Sequence, residues 1–220
     1  ISAGARVEGW VSDSVRLGAS EARETTGVAD NEIAGADLLV RQSDETYLSF
    51  DYARSEGPGF GNSLSFNGGL DINPGSADPS ATPSAGAVGL PADAFRVEAA
   101  ANLAEISAGR MDGEVLAFYD KKEAGFVSSD YDIDTTQTSY GVKGDVALSS
   151  TTKLKFGYED FKDAAGKHRM DGALGVAFAL SDTWTAEIGL ASTDRTDPAA
   201  AADEVGKRTD LGAKLTWMRD

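Results

Sequence analysis

The chain has 220 residues, with 36 acidic against 20 basic side chains and a formal charge of -16. That balance excludes a basic surface for nucleic acid and simple electrostatic docking on anionic lipid. With no cysteine there is no disulfide framework and no thiolate metal site, and no apolar run reaches the roughly eighteen residues of a transmembrane helix.

Glycine is abundant and proline scarce, at 25 and 6, which suits strands better than a helical bundle. The first pattern runs from Gly4 to Val11. Ala5, Val7, Gly9 and Val11 take one face, and Arg6, Glu8 and Trp10 the other. Alternation at period 2 is the signature of a strand. Ser12-Asp13-Ser14 then reads as a turn and Val15 to Ala22 as the return strand, with a polar loop over 23–32. Ile33 to Gln42 and Thr46 to Arg54 are the next two strands, joined by Ser43-Asp44-Glu45. In the second of them Leu48, Phe50 and Tyr52 oppose Tyr47, Ser49 and Asp51.

Residues 55–94 read as a long loop insertion. Ser63 to Ile72 alternates cleanly, but counting it as a full crossing puts the tight turns before and after it on opposite rims. Asn67-Gly68 is a type I′ turn signal, so 60–72 is expected to be a short hairpin within that loop; the alternative is that part of 73–94 also crosses. Pro91 to Ile106 carries both a strand pattern and a helical one with Asp93 as cap, and the strand is preferred. Its partner runs from Arg110 to Asp120, after an apparent turn at 106–109.

The stretch from Gln137 to Ser192 organises the chain. It holds four extended segments, two pairs closed by Ser149-Ser150-Thr151 and Ser181-Asp182-Thr183. Leu154, Phe156 and Tyr158 alternate with Lys153, Lys155, Gly157 and Glu159; Trp184, Ala186, Ile188 and Leu190 alternate with Thr185, Glu187, Gly189 and Ala191. Thr209 to Met218 repeats the pattern with Leu211, Ala213, Leu215 and Trp217 on its apolar face. Short Ser/Asp turns separate longer connections at 23–32, 55–62, 73–94, 120–136, 161–169 and 193–207. Short turns on one rim and long loops on the other predict an all-β, antiparallel transmembrane β-barrel, with about 11–12 strands in view and possibly part of a larger barrel. Residues 1–220 are then one barrel domain or barrel segment. The pattern is already running at Ile1 and stops just before Asp220, so a segment of a longer polypeptide is expected.

Within that frame Trp184 and Trp217 are expected near the short-turn rim, facing outward, where tryptophan suits a membrane–water boundary. Trp10 falls on the charged face. Lys143, Asp145, Lys153, Lys155, Glu159, Glu187 and Lys214 would face the lumen, among small residues such as Ala173, Gly175, Ala177 and Ala179. A water-folded β-protein with the apolar face as core has the same periodicity. The single histidine, His168, has Asp163 and Asp171 near it in sequence but no nucleophile motif, and is expected to be an exposed loop residue. Asp130, Asp132 and Asp134 form D-x-D-x-D without the glycine or distal glutamate of a calcium loop, and read as a solvated acidic loop. No catalytic, cofactor-binding or metal residue is therefore assigned, and no cofactor is expected.

Glu105-Ile106-Ser107-Ala108-Gly109-Arg110, Ala117-Phe118-Tyr119, Glu123-Ala124-Gly125-Phe126, Tyr140-Gly141-Val142 with Val146-Ala147-Leu148, and Arg208-Thr209-Asp210-Leu211-Gly212-Ala213 carry a resemblance. From about residue 30 onward the chain resembles the β-barrel region of very large proteobacterial outer-membrane proteins, in which Ig-like repeats and sometimes an OmpA-type domain accompany the barrel. The resemblance implies one piece of a longer chain and brings no reaction with it. The expected role is an outer-membrane anchor, scaffold or passive pore in a Gram-negative envelope. The expected partners are lipid, lipopolysaccharide, and other segments of the polypeptide or neighbouring envelope proteins, and not nucleic acid. The alternative is a secreted β-rich adhesin or surface-layer module.

Overall fold

The computed structural model describes residues 2–25, 30–57, 91–128, 133, 135–202 and 204–218. Its eleven strands are antiparallel and form one sheet in chain order. They are β1 (Ser2–Ser12), β2 (Val15–Thr25), β3 (Asp30–Arg41), β4 (Tyr47–Glu56), β5 (Ala92–Asn102), β6 (Gly113–Lys122), β7 (Gln137–Ala147), β8 (Thr152–Asp163), β9 (His168–Ala179), β10 (Trp184–Thr196) and β11 (Gly206–Trp217). The single helical turn is α1 (Leu103–Ile106). The sheet is not closed, and no pairing joins β1 to β11 among the described residues. Two compact units are distinguished, Ile1–Leu39 with Phe50–Arg96 and Lys121–Gln137, and Val40–Ser49 with Val97–Asp120 and Thr138–Asp220.

The tight turns share one chemistry. The first serine of each accepts a backbone N–H from two residues on: Ser12 from Ser14 at 3.3 Å, Ser43 from Glu45 at 3.1 Å, Ser149 from Thr151 at 3.2 Å and Ser181 from Thr183 at 3.3 Å. These side-chain bonds stand in for backbone bonds where the ladder stops. The pairing that follows keeps apolar residues on one face. Trp184, Ala186, Ile188 and Leu190 lie opposite Trp217, Leu215, Ala213 and Leu211.

The strands outrun their predicted ends on the other rim. β2 continues to Thr25, β8 to Asp163 and β10 to Thr196, while β3 begins at Asp30, β9 at His168 and β11 at Gly206. The connections at 26–29 and 164–167 are therefore as short as the tight turns, and the loop asymmetry rests on 57–91, 123–136 and 197–205. Polar residues that look like loop are carried in the ladder, as in Lys162↔His168. Ladder bonds are made by the backbone and tolerate any side chain that can reach water or a partner.

Pro91 to Ile106 resolves as strand and then helix. β5 takes the first part, and α1 is capped by Asn102, whose Oδ1 accepts Ala104 N–H at 2.9 Å and Glu105 N–H at 3.3 Å. Asp93 is no cap: it accepts the Tyr52 hydroxyl at 2.8 Å. The connection 103–112 turns through left-handed Ala108 and Gly109, at φ 54° and 78°. The proposed hairpin at 60–72 and the segment 73–90 lie outside the described residues, as do Asp130, Asp132 and Asp134. β4 and β5 are direct neighbours in the sheet.

Burial is slight. In the first unit Ala92 and Ala94 pack with Phe126 and Ile133, and Ile33 and Ala53 lie against them. The connection after β6 folds back to make this cluster, with Gly125 N–H donating to Ile133 O at 2.7 Å and Val127 N–H to Ser55 Oγ at 2.9 Å. In the second unit close strand contact needs Gly144, where a Cβ would strike the Glu114 carbonyl and lie 3.0 Å from Val115 Cα. Gly144→Val is expected to destabilise the sheet by about 1–3 kcal/mol through overpacking. Gly212→Ala, where a Cβ meets nothing within 4 Å, is expected to be near neutral. Denaturant titration of the two variants checks the contrast.

Candidate functional site

The features that can meet a partner are the two faces of the sheet and their rims. In the second unit the polar face carries cross-strand ion pairs. Lys153 reaches Asp145 at 2.8 Å and Lys155 reaches Glu187 at 2.8 Å. Register places small residues beside them: Lys153 lies opposite Ala177 and Lys155 opposite Gly175, and Gly189 is flanked by Gly175 and Gly212. A row of glycines between charged side chains leaves the backbone of this face open. In the first unit Asp37 is held by Arg6 at 2.7 Å and Arg16 at 3.9 Å, and Glu8 pairs with Arg6 at 3.1 Å. Trp10 lies opposite Arg16, on this charged face as expected.

The other face is apolar and exposed. Leu174, Ile188, Leu190, Leu211 and Leu215 are all among the exposed large hydrophobics. Among the described residues the buried hydrophobics are only Ala92, Ala94, Leu103, Phe126, Val127 and Ile133. Aromatic side chains pair across neighbouring strands. Trp184 and Trp217 adjoin the turn at Ser181, with ring centroids 6.3 Å apart. Tyr140 in β7 and Tyr158, at the middle of β8, are also 6.3 Å apart. In the first unit Tyr52 is anchored through its hydroxyl to Asp93, with Arg54 3.6 Å from the same carboxylate.

His168 is not a loop residue. It opens β9, and its Nε2 lies 3.1 Å from Asp160, a carboxylate whose side chain is 5% exposed. Tyr158 donates to the same carboxylate at 3.2 Å and Lys162 lies 3.4 Å from it. The predicted neighbours are engaged elsewhere: Asp163 accepts Lys167 N–H at 2.8 Å, and Asp171 takes Arg169 at 2.6 Å and the Thr193 hydroxyl at 2.6 Å. Sequence proximity was the wrong guide. Once β8 reaches Asp163, the pairing Lys162↔His168 sets Asp160 and His168 on one face, diagonally across the strands. The arrangement supplies an imidazole oriented by the Asp160 carboxylate, and the contact ties the end of β8 to the start of β9.

A further charged group sits in the connection after β10. Asp197 accepts Ala199 N–H at 3.1 Å and is reached by Arg195 at 3.3 Å and Lys167 at 4.0 Å. The Ala199 N–H, helped by Arg195 and Lys167 and opposed by partial burial, holds its carboxyl below the usual carboxylate range. A depressed carboxyl contributes stability that is present above its unfolded pKa and lost as pH falls through its folded value. Protection of the Ala199 amide is therefore expected to hold at neutral pH and to fall on acidification into and below the ordinary carboxylate range. Hydrogen exchange against pH checks this, with Asp197→Asn expected to flatten the profile.

No family model matches the chain, and no curated protein matches it significantly.

Proposed function

We propose that this sheet is the wall, or part of the wall, of an antiparallel β-barrel in an outer membrane, where it acts as an anchor or scaffold or as a passive pore. The observation that carries the reading is the exposed apolar face of a single-layer sheet. In water such a face calls for a second layer, and none is found among the described residues. In a bilayer the same face needs no cover, because hydrocarbon supplies it.

Three features agree with that choice. The strands are 10–13 residues long, enough for a tilted crossing of about 9–11 residues. Trp184 and Trp217 lie together at one set of strand ends, where an amphipathic ring suits both lipid and water. The opposite face pairs its charges across strands, as the wall of a water-filled lumen can. The role is physical and not catalytic: apolar residues meet lipid, and the charged face sets what passes or what plugs it. The resemblance to barrel regions of large envelope proteins supports the same reading. On this reading lipid and lipopolysaccharide are its surroundings, with neighbouring envelope segments as further partners.

The unclosed strand order favours a second reading, a secreted adhesin or surface-layer module folded in water. The two readings part at Leu190, on the apolar face and 48% exposed. On the membrane reading Leu190→Lys costs about 2–4 kcal/mol near the midplane. The variant is then expected to lose flotation with liposomes and the compact, heat-modifiable gel band of the parent. In a water-folded module neither the parent nor the variant floats with liposomes or shows a heat-modifiable band. For a protein that floats, conductance across a planar bilayer separates pore from plugged anchor.

A further inference from the structure

We propose that the outer edge of β11 is an interaction surface for one further β-strand. The occupant is an extended polypeptide segment running antiparallel to β11, apolar at alternate positions on the Leu211 side and bearing a carboxylate opposite Lys214. The inference concerns the edge itself and does not need lipid on the apolar face.

The edge is long and straight. β11 spans Gly206–Trp217 and pairs with β10 in unbroken register from Trp217 to Gly206. It contains no proline and no bulge and it is not short, so its charges, Lys207, Arg208, Asp210 and Lys214, are what select the strand that can join it. Its apolar residues are more exposed than the β10 residues they face. Leu211 is 79% exposed against 48% for Leu190, and Trp217 is 55% against 41% for Trp184. The extra exposure is the flank that a neighbour would cover.

The chemistry of the occupant follows from the same strand. Its apolar row must continue Leu211, Ala213, Leu215 and Trp217. Opposite Lys214, β10 presents Glu187, but that carboxylate is already bonded to Lys155 at 2.8 Å. Lys214 makes no ion pair within 4 Å among the described residues and can take a carboxylate from the other side. A second copy of β11 fits poorly. The antiparallel register that pairs Asp210 with Lys214 sets Thr209 against Leu215 and Lys207 against Trp217. The register that joins Leu211 to Leu215 leaves Lys214 opposite Gly212. No self-pairing satisfies both rows, whereas a strand patterned like β10 does.

The chain has no cysteine, so one introduced thiol reports the pairing. Gly212→Cys adds a side chain where a Cβ meets nothing within 4 Å, and circular dichroism in detergent micelles checks that the strand content is kept. The probe is a synthetic peptide of residues Trp184–Thr196 with Gly189→Cys. Glu187 opposite Lys214 sets peptide position 189 opposite position 212 of the protein, thiol to thiol. A disulfide adduct of one protein with one peptide is expected by mass, and none with the Ile188→Cys peptide, whose thiol points to the other face. Adding Lys214→Glu to the protein is expected to lower the adduct yield about threefold, the scale of a cross-strand charge pair. If the Gly212→Cys protein does not fold, Ala213→Cys with the Ile188→Cys peptide makes the same test on the apolar face. Equal yields from matched and mismatched peptides, no adduct, or a disulfide-linked homodimer of the Gly212→Cys protein as the main product would each overturn the proposal.

Discussion

A strand cannot satisfy its own backbone, and the architecture follows from that constraint. Each of β2 to β10 has a hydrogen-bonded neighbour on both sides, whatever its side chains are. The ladder therefore dictates which residues share a face, and the period-2 pattern only has to agree with it. Because the strands form one layer, they do not build a core between them. What is buried is local: Phe126 and Ile133 over Ala92 and Ala94 in the first unit, and Asp160 under its ring of donors in the second. Cohesion comes from backbone bonds and from cross-strand pairs such as Lys155–Glu187, which on half-exposed faces contribute little individually.

This explains why much of the fold was legible. Alternation in Lys153–Glu159 and Trp184–Ala191 encodes faces directly, and the serine-led turns encode where each strand must reverse. Strand ends were not legible, because the sequence turns polar before the ladder stops. Lys162, Arg169 and Asp194 read as loop by composition, yet each lies in a strand. The expected sorting of short and long connections was in part a product of that misreading, and only three long connections support it. The helical signal in Pro91–Ile106 was real but displaced: it belongs to four residues, Leu103–Ile106, behind an asparagine cap.

The surroundings of His168 were illegible for a different reason. Diagonal contacts across antiparallel strands depend on register, and register is fixed by the turn, not by distance along the chain. With Asp163 and Lys167 closing the turn through a 3.0 Å backbone bond, Asp160 becomes the partner and Asp171 is turned to the opposite face. The same logic joins Arg6 and Arg16 to Asp37, a group that linear reading leaves scattered over three strands.

Two polarity patterns of equal period have opposite meanings in water and in lipid, and burial is what bears on the choice. If the apolar face were a core, its leucines and isoleucines would be its least exposed residues. Ile188 is instead 54% exposed and Leu190 48%, while the buried side chains among the described residues are small, belong to the connection after β6 or to α1, or are polar. Covering that face in water takes a second apolar layer of matching extent. Covering it in a membrane takes only that the strand ends tolerate an interface, and there β10 and β11 already carry Trp184 and Trp217. The exposed edges of β1 and β11 sharpen the point. In hydrocarbon an open edge is not tolerated, so a sheet with this face and these edges is consistent in lipid only when its wall is continued. On the membrane reading the apolar face and the unpaired edges therefore lead to one requirement, a strand paired against each open edge.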